Sequence, residues 1–224
     1  LQKEKVITIP RGIDTESFNP LNVSHQRIIQ LSNLWRLNDG IQIIMLPGRL
    51  ARWKGHKILI EALARLKRKD YRCIFVGSEL GNENNKKSLE NIIRKNKLGD
   101  MVQFVNHCND MPAAYMLADI VVSASTDPEA FGRVSVEAQA MNRIIIASDH
   151  GGSSETIING KTGILFLNNN PESLSKSLES ALEMDIDSRK KMGDASRKHV
   201  CSNYKLEYMQ ESTIKLYKKL ILML

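Results

Sequence analysis

Short apolar runs alternate with amphipathic segments along the chain. Residues 41–47 (IQIIMLP) are nearly all apolar, as expected of a strand that is buried on both faces. Residues 58–66 follow with apolar side chains at the 3.6-residue period of a helix and basic side chains opposite them. The same reasoning predicts strands at 6–9, 72–77, 101–105, 119–125, 143–148 and 163–166. It predicts helices at 24–37, around 89–93, at 110–117 with Asp110 as its cap, from about 132 and from 171, before two final helical segments.

This alternation indicates the fold class. Strands that alternate with helices form a parallel sheet that is covered by helices on both faces. Because strand–helix–strand crossovers are right-handed, the economical topology is an α/β fold with a doubly wound, Rossmann-like parallel sheet. Ligands bind such sheets beyond the carboxyl ends of the strands, so a site is expected in the loops that follow the strands.

Composition narrows the class of protein only slightly. The 224 residues carry a net charge of +7 and a pI of about 9.3, which suits nucleic acid, an acidic membrane surface, a phosphorylated small molecule, or simply a solvated basic surface. The three cysteines are far apart and form no C-x-x-C pair, which argues for a reducing compartment and against a cysteine zinc site. We therefore expect a cytoplasmic protein.

The loop after residues 41–47 holds candidate phosphate-binding residues. Arg49 and Lys54 lie close together in it, between Gly48 and Gly55. Two such cations suit a diphosphate, because arginine offers a planar fork, lysine offers a compact charge, and glycine lets the backbone approach a ligand. The alternative is a basic, solvated start of a helix.

The stretch EAFGRVSVE, residues 129–137, contains a second candidate. A helix that begins near residue 132 presents free backbone N–H groups, and the positive end of its dipole attracts phosphate. The residues that supply these N–H groups are Phe131, Gly132, Arg133 and Val134.

Two glutamates flank this helix start. Glu137, about one turn into the helix, can accept two hydroxyl hydrogens, as from a ribose diol, and Glu129, in the preceding loop, can face a sugar. The alternative is a solvated loop glutamate and a surface helix glutamate. The helix is apolar on most sides, however, which predicts a partly buried Glu137 that needs a partner.

Further glycine and polar residues also follow strands. Four of them are expected to line the crevice: Gly12, Gly77, His107 and Cys108. The last two lack metal-ligand spacing, and no metal site is predicted. Residues 150–155 (HGGSSE) either contribute backbone N–H groups to the crevice or only cap the next helix. Three histidines are expected on the surface: His25, His56 and His199.

Short motifs occur in the order of a known family. They are IPRGID (9–14) with Phe18, GRL (48–50) with Lys54 and Gly55, FVG (75–77), Tyr115 with Ala118 and Asp119, EAFG (129–132) with Glu137 and Ala138, and GG (151–152) with Glu155, Gly160 and Gly163. Each is weak alone. The ordered set resembles the C-terminal, donor-binding domain of retaining glycosyltransferases of the GT-B fold, in glycosyltransferase group 1, also called family 4.

The resemblance implies roles for the candidates. In that family, Arg49 and Lys54 correspond to residues that bind the donor diphosphate together with the backbone of residues 131–134. Glu137 corresponds to the residue that holds the ribose, and Glu129 to the one that contacts the donor sugar and was once considered as a nucleophile. Glu129 is thus the catalytic candidate. The family is generally metal-independent, and no cofactor is expected.

The resemblance also implies an activity. A hexose is moved from a nucleoside-diphosphate sugar, linked to UDP or GDP, to a saccharide or lipid-linked acceptor in cell-envelope polysaccharide or glycolipid synthesis. The acceptor domain of that family has no counterpart in this sequence, so we expect a fragment that binds donor weakly and turns over little. Residues 1–203 would form the nucleotide-sugar-binding domain. Residues 204–224 would form a C-terminal helix that packs on the N-terminal domain and exposes apolar surface here.

Three positions depart from the family pattern. Asn142 and Ile144 replace the glycine and proline of A-x-G-x-P, and Arg11 replaces an asparagine. Because asparagine tolerates a left-handed backbone, the turn at Asn142 is expected to survive. The same departures leave open a degenerate, non-catalytic nucleotide-binding module.

A third hypothesis follows from the basic runs at 65–69, 189–191 and 215–219. They would suit nucleic acid or an anionic membrane, but no aromatic stacking platform accompanies them. We expect no nucleic-acid partner. A peripheral location at the inner face of the membrane remains an alternative to a purely cytoplasmic one.

Overall fold

Six parallel strands form one sheet in the computed structural model, which describes residues 6–37, 40–79, 81 and 83–222. They are β1 (Gln42–Pro47), β2 (Tyr71–Val76), β3 (Val102–Val105), β4 (Ile120–Ser123), β5 (Ile144–Ser148) and β6 (Ile164–Phe166). Their order is β3-β2-β1-β4-β5-β6, and all pairings are parallel. The strand order reverses between β1 and β4, as in a doubly wound Rossmann sheet. The predicted fold class is confirmed.

Nine α-helices occur in the described residues. They are α1 (His25–Leu34), α2 (His56–Leu63), α3 (Glu83–Lys95), α4 (Met111–Leu117), α5 (Arg133–Ala140), α6 (Gly152–Thr156), α7 (Pro171–Leu182), α8 (Ile186–Asn203) and α9 (Leu206–Ile221). Several begin where a side chain caps the first turn. Asp110, predicted as the cap of α4, accepts from the backbone N–H of Ala113 at 3.1 Å.

Alternate residues of the strands face opposite layers of helices. Ile44 and Leu46 belong to an apolar cluster shared with α2, α3 and α7. Ile43 and Met45 belong to a second cluster that includes residues of α4 and α5, and partly buried residues of α1 pack against it. Both faces of the central strands are therefore buried, which is why they read as nearly continuous apolar runs.

The strand predicted at residues 6–9 is wrong. These residues pair with no strand in the described part of the chain, and Val6 and Ile7 are 56% and 58% exposed. Their β-branched side chains favour extended backbone, but that preference is weak unless the strand is half-buried against neighbours. The nearest pairing is an isolated parallel bridge between Ile13 and Lys205.

The turn at Asn142 survives, as predicted. Asn142 has a left-handed backbone with φ of 56°, and its side-chain amide donates to Asp194 Oδ1 at 2.9 Å. Ile144, at the family's proline position, begins β5, is 2% exposed and pairs with Ile120 of β4. The two departures are thus accommodated by the turn and the sheet.

The last helix, α9, has no fully buried side chain among its described residues. Its exposed apolar side chains include Tyr208, Ile214, Tyr217, Leu220 and Ile221. The predicted apolar surface is confirmed, whereas packing of this helix on another domain stays a prediction. Over the described residues, no helix combines the length and the hydrophobicity that a membrane span requires.

Candidate functional site

The loop that carries Arg49 starts where the ends of β1 and β2 touch. A Cβ on Gly77 would lie 2.0 Å from the carbonyl oxygen of Gly48, so only glycine fits there. Gly48 in turn donates its N–H to the carbonyl of Val76 at 2.8 Å. Arg49 follows immediately, and in the described chain its exposed guanidinium has no hydrogen-bond or ion-pair partner. A cation is therefore available at the carboxyl end of the central strands.

Lys54, at the other end of this loop, is paired with Glu129. Lys54 Nζ lies 2.8 Å from Glu129 Oε1, and the two side chains are 16% and 15% exposed. The Ser125 hydroxyl donates to the same oxygen, and the lysine also lies 4.2 Å from the ring centroid of Trp53. Gly55 presses the loop against β4, because a Cβ there would lie 1.8 Å from the carbonyl oxygen of Ala124. Lys54 and Glu129 are thus held together in one cluster.

The glycine turn after β5 supports the loop that contains Glu129. Gly152 donates its backbone N–H to the Glu129 carbonyl at 2.7 Å, and a Cβ on Gly152 would lie 2.4 Å from the carbonyl carbon of Phe131. His150 Nε2 lies 3.2 Å from the Thr126 carbonyl oxygen. Residues 150–155 therefore have a role beyond the two predicted alternatives, because they fix the backbone of the 126–132 loop.

No side chain among the residues that the structure describes caps the start of helix α5. Its N-cap is Gly132, in the left-handed conformation with φ of 77°. The carbonyl of Gly132 accepts from Ser135 and Val136, while the N–H groups of Arg133 and Val134 have no acceptor within the described residues. Such a terminus is suited to an anion.

Glu137 is buried, as the apolar helix predicted, and it has two partners. The residue is 6% exposed. Its Oε2 accepts from the Tyr115 hydroxyl at 2.9 Å, and its Oε1 from Arg133 Nη2 at 2.8 Å. Burial of the ring, and then the charge of Glu137, raise the pKa of Tyr115 well above its ordinary value, so the phenol remains a donor. The Tyr115 partner was not predicted, because no local spacing connects residues 22 positions apart.

A cavity of about 590 Å³ brings part of the predicted set together. Its lining includes Arg49, Gly77, His107, Cys108, Arg133, Val134 and Glu137, together with Tyr115. Lys54, Glu129, Phe131 and Gly132 lie outside this lining. Gly12 packs elsewhere, since a Cβ there would lie 2.4 Å from the Lys205 carbonyl oxygen. A place for Gly12 in the crevice, like the binding roles of the other residues, stays a prediction.

His56 corrects a further expectation. It is 1% exposed rather than on the surface, and its ring packs edge-on against Phe75 with centroids 5.0 Å apart. Neither ring nitrogen has a partner in the described structure. Burial, with the nearby charge of Lys54, lowers the pKa of His56 to about 4. The imidazole is neutral at pH 7 and lies directly behind the Lys54 loop.

Comparisons with known sequences identify what this chain is similar to. A family model described as glycosyl transferases group 1 matches residues 30–199. Spore coat protein SA of Bacillus subtilis (strain 168) is 28% identical over 230 residues, which cover 97% of this chain and 59% of that protein. The chain spans about half the length of the curated relatives it matches.

Solved structures give the same result. A glycosyltransferase from Rickettsia africae ESF-5 superposes with a TM-score of 0.96 and 32% identity, covering 99% of this chain and 59% of that one. Anabaena Alr3699/HepE, crystallised with UDP-glucose, superposes with a TM-score of 0.85 and 25% identity, covering 93% and 56%.

Proposed function

Because the chain belongs to the group 1 glycosyltransferase family and has the fold of the C-terminal half of its GT-B members, we propose that it binds the donor of a retaining hexosyl transfer. The donor is a nucleoside-diphosphate sugar linked to UDP or GDP. The acceptor is a saccharide or a lipid-linked acceptor that an N-terminal domain binds, and the product belongs to cell-envelope polysaccharide or glycolipid synthesis. The proposal includes no metal and no cofactor. It places the protein in the cytoplasm or at the inner face of the membrane.

The buried Glu137 is the observation that carries this proposal. A carboxylate that is 6% exposed is costly to bury, yet it lies in a cavity beside the start of α5. The same cavity holds the guanidinium of Arg49. A ligand with a hydroxyl pair next to a diphosphate would satisfy all three groups at once. The Anabaena relative, crystallised with UDP-glucose, supports a nucleotide sugar as that ligand.

The proposed chemical role of the site is to stabilise a leaving nucleoside diphosphate. Arg49, Lys54 and the start of α5 are positive groups that face the developing negative charge. Glu129 is proposed to contact the donor sugar and is the candidate for catalysis. The Lys54 and Ser125 contacts fix its carboxylate, so its position does not depend on a flexible loop.

Calorimetric titration with UDP, GDP, UDP-glucose and GDP-mannose tests the proposal. We expect one base to bind, and Arg49→Ala and Glu137→Gln each to weaken that nucleotide at least about tenfold, because charge-assisted hydrogen bonds contribute about 1.5–3 kcal/mol each. Glu172→Gln is the matched control, since Glu172 forms an exposed pair with Lys176 away from the cavity. Absence of any nucleotide binding, or equal affinities in all variants, would refute the assignment.

The degenerate, non-catalytic module is tested separately. This hypothesis rests on the replacement of the family's glycine and proline by Asn142 and Ile144. The turn and the strand accommodate both residues. Hexose transfer by a chain that includes an acceptor domain, with loss of turnover in Glu129→Gln, would exclude it. Donor binding without turnover in that longer chain would favour it.

A further inference from the structure

Both carboxylates of the EAFGRVSVE stretch hold a cation in this structure. Glu129 is paired with Lys54 and Glu137 with Arg133, each at 2.8 Å. A nucleotide sugar needs the carboxylates for its hydroxyls and the cations for its phosphates. The groups proposed to bind the donor are therefore already paired with one another in the protein.

The two partners of Glu137 differ in their freedom to move. Tyr115 is completely buried, so its hydroxyl is fixed against Glu137 Oε2. The Arg133 side chain is 70% exposed and holds the other oxygen through an i, i+4 ion pair. The arginine end of this pair is open to solvent, whereas its carboxylate is buried. Arg133 is the partner that a ligand can displace.

Arg133 also lies where a released guanidinium would meet phosphate. It is the first residue of α5, at the end that offers free N–H groups. It lines the cavity that contains Arg49 and Glu137, and also an adjoining cavity of about 730 Å³ that includes Phe18, His107 and Asp110. The side chain thus stands at the border of two open spaces and can turn without any movement of the backbone.

We propose that the Arg133 side chain is a further donor-binding residue, which exchanges Glu137 for the donor phosphates when the ribose hydroxyls take the carboxylate. This inference rests on the proposed function. The exchange makes Arg133 a specificity determinant between nucleosides and nucleoside diphosphates. A nucleoside displaces Arg133 from Glu137 without providing a new partner for the guanidinium, whereas a nucleoside diphosphate provides a new partner for both groups.

The alternative role is purely structural, with Arg133 only holding Glu137 in place. The two roles predict different affinities in Arg133→Leu. If Arg133 exchanges partners, its removal frees Glu137 for the ribose and takes one cation from the phosphates. If Arg133 only holds Glu137, its removal weakens nucleoside and nucleotide alike.

The experiment measures the affinities of uridine and UDP, and of guanosine and GDP, by calorimetry for the wild-type chain, Arg133→Leu, Arg133→Lys and Lys176→Leu. The last variant is the matched control, since Lys176 is also an exposed cation in an i, i+4 pair, with Glu172. For the base that binds, we expect Arg133→Leu to weaken the diphosphate about tenfold and to leave the nucleoside equal or tighter. Arg133→Lys should retain most of the diphosphate affinity.

Each other result is decisive. An equal loss for nucleoside and diphosphate, or an unchanged diphosphate affinity in Arg133→Leu, overturns the exchange but leaves the proposed function intact. A wild-type chain that binds neither UDP nor GDP overturns the proposed function itself. Unfolding curves for each variant show whether a loss of affinity reflects loss of fold, and Arg133→Lys then decides the matter, because it keeps the charge on a flexible stem.

Discussion

The hydroxyl of Tyr115 donates to a carboxylate that is almost completely buried. Hydrogen bonds to charged groups contribute more than those to neutral groups, so Tyr115→Phe should lower the free energy of unfolding by about 1.5–3 kcal/mol. Tyr71→Phe is the matched control, because that buried hydroxyl lies 3.4 Å from a neutral carbonyl oxygen, of Leu63, and its loss should cost about 1 kcal/mol or less. Urea denaturation measures both. Equal losses would mean that the Glu137 contact is not special.

His56 should make stability depend on pH. Its folded pKa of about 4 lies below the ordinary value of 6.5, so between these values the unfolded chain binds a proton that the folded chain excludes. The contribution of His56 to the free energy of unfolding is fully present above about pH 6.5. It decreases as the pH drops toward 4, by about 3 kcal/mol in total. Denaturation curves at several pH values should show a smaller decline for His56→Leu than for wild type, and no change for the exposed His25→Leu. Parallel declines in all three proteins would contradict the assignment.

At single residues, the sequence predicted what depends on near neighbours in the chain. The cap at Asp110, the left-handed turn at Asn142 and the burial of Glu137 all follow from local pattern, and the structure confirms them. The contact of Lys54 with Glu129 spans 75 positions. Such a contact is created by the strand order and the loop packing, so no spacing rule could have found it.

At the scale of elements, Gly55 determines how the Lys54 loop meets β4. Gly55→Ala places a methyl group 1.8 Å from a backbone oxygen and also strains a left-handed residue with φ of 75°. We expect it to lower the free energy of unfolding by about 3 kcal/mol and to weaken donor binding, because the Lys54–Glu129 pair must shift. Denaturation and titration measure the two effects.

Gly160→Ala separates the two causes. Gly160 has nearly the same backbone, with φ of 73°, but apart from its two chain neighbours no residue that the structure describes lies within 4 Å of the added methyl group. It should therefore cost only the left-handed strain, about 1–2 kcal/mol, and leave binding unchanged. A Gly55→Ala variant as stable as Gly160→Ala would show that the loop yields easily.

Elements were predictable where they are buried on both faces. The strands β1, β2, β4 and β5 coincide with apolar runs, because each side of these strands meets a layer of helices. Residues 6–9 carry a similar run, but Val6 and Ile7 remain exposed. This run has strand propensity but no neighbouring surface against which its side chains can be buried. The sequence alone does not distinguish a buried run from an exposed one.

At the scale of the whole molecule, the exposed face of α9 predicts self-association. The chain should form concentration-dependent oligomers through α9, and deletion of residues 207–224 should abolish them while changing the free energy of unfolding by no more than about 2 kcal/mol, since no α9 side chain is fully buried. Light scattering and urea denaturation check this. Ile214→Glu with Tyr217→Glu should have the same effect on association without shortening the helix. A monomer at all concentrations would contradict the prediction.

The two ion pairs of the site have a consequence for a protein with a net charge of +7. Simple anions such as inorganic phosphate and sulfate, which carry no hydroxyl pair, are also attracted to a basic surface. A cation that is already neutralised by a neighbouring carboxylate has little to offer such competitors, since they would strand a buried acid without supplying hydroxyls to it. In the proposed donor site, the two pairs therefore disfavour simple anions and favour a ligand that carries hydroxyls as well as phosphates.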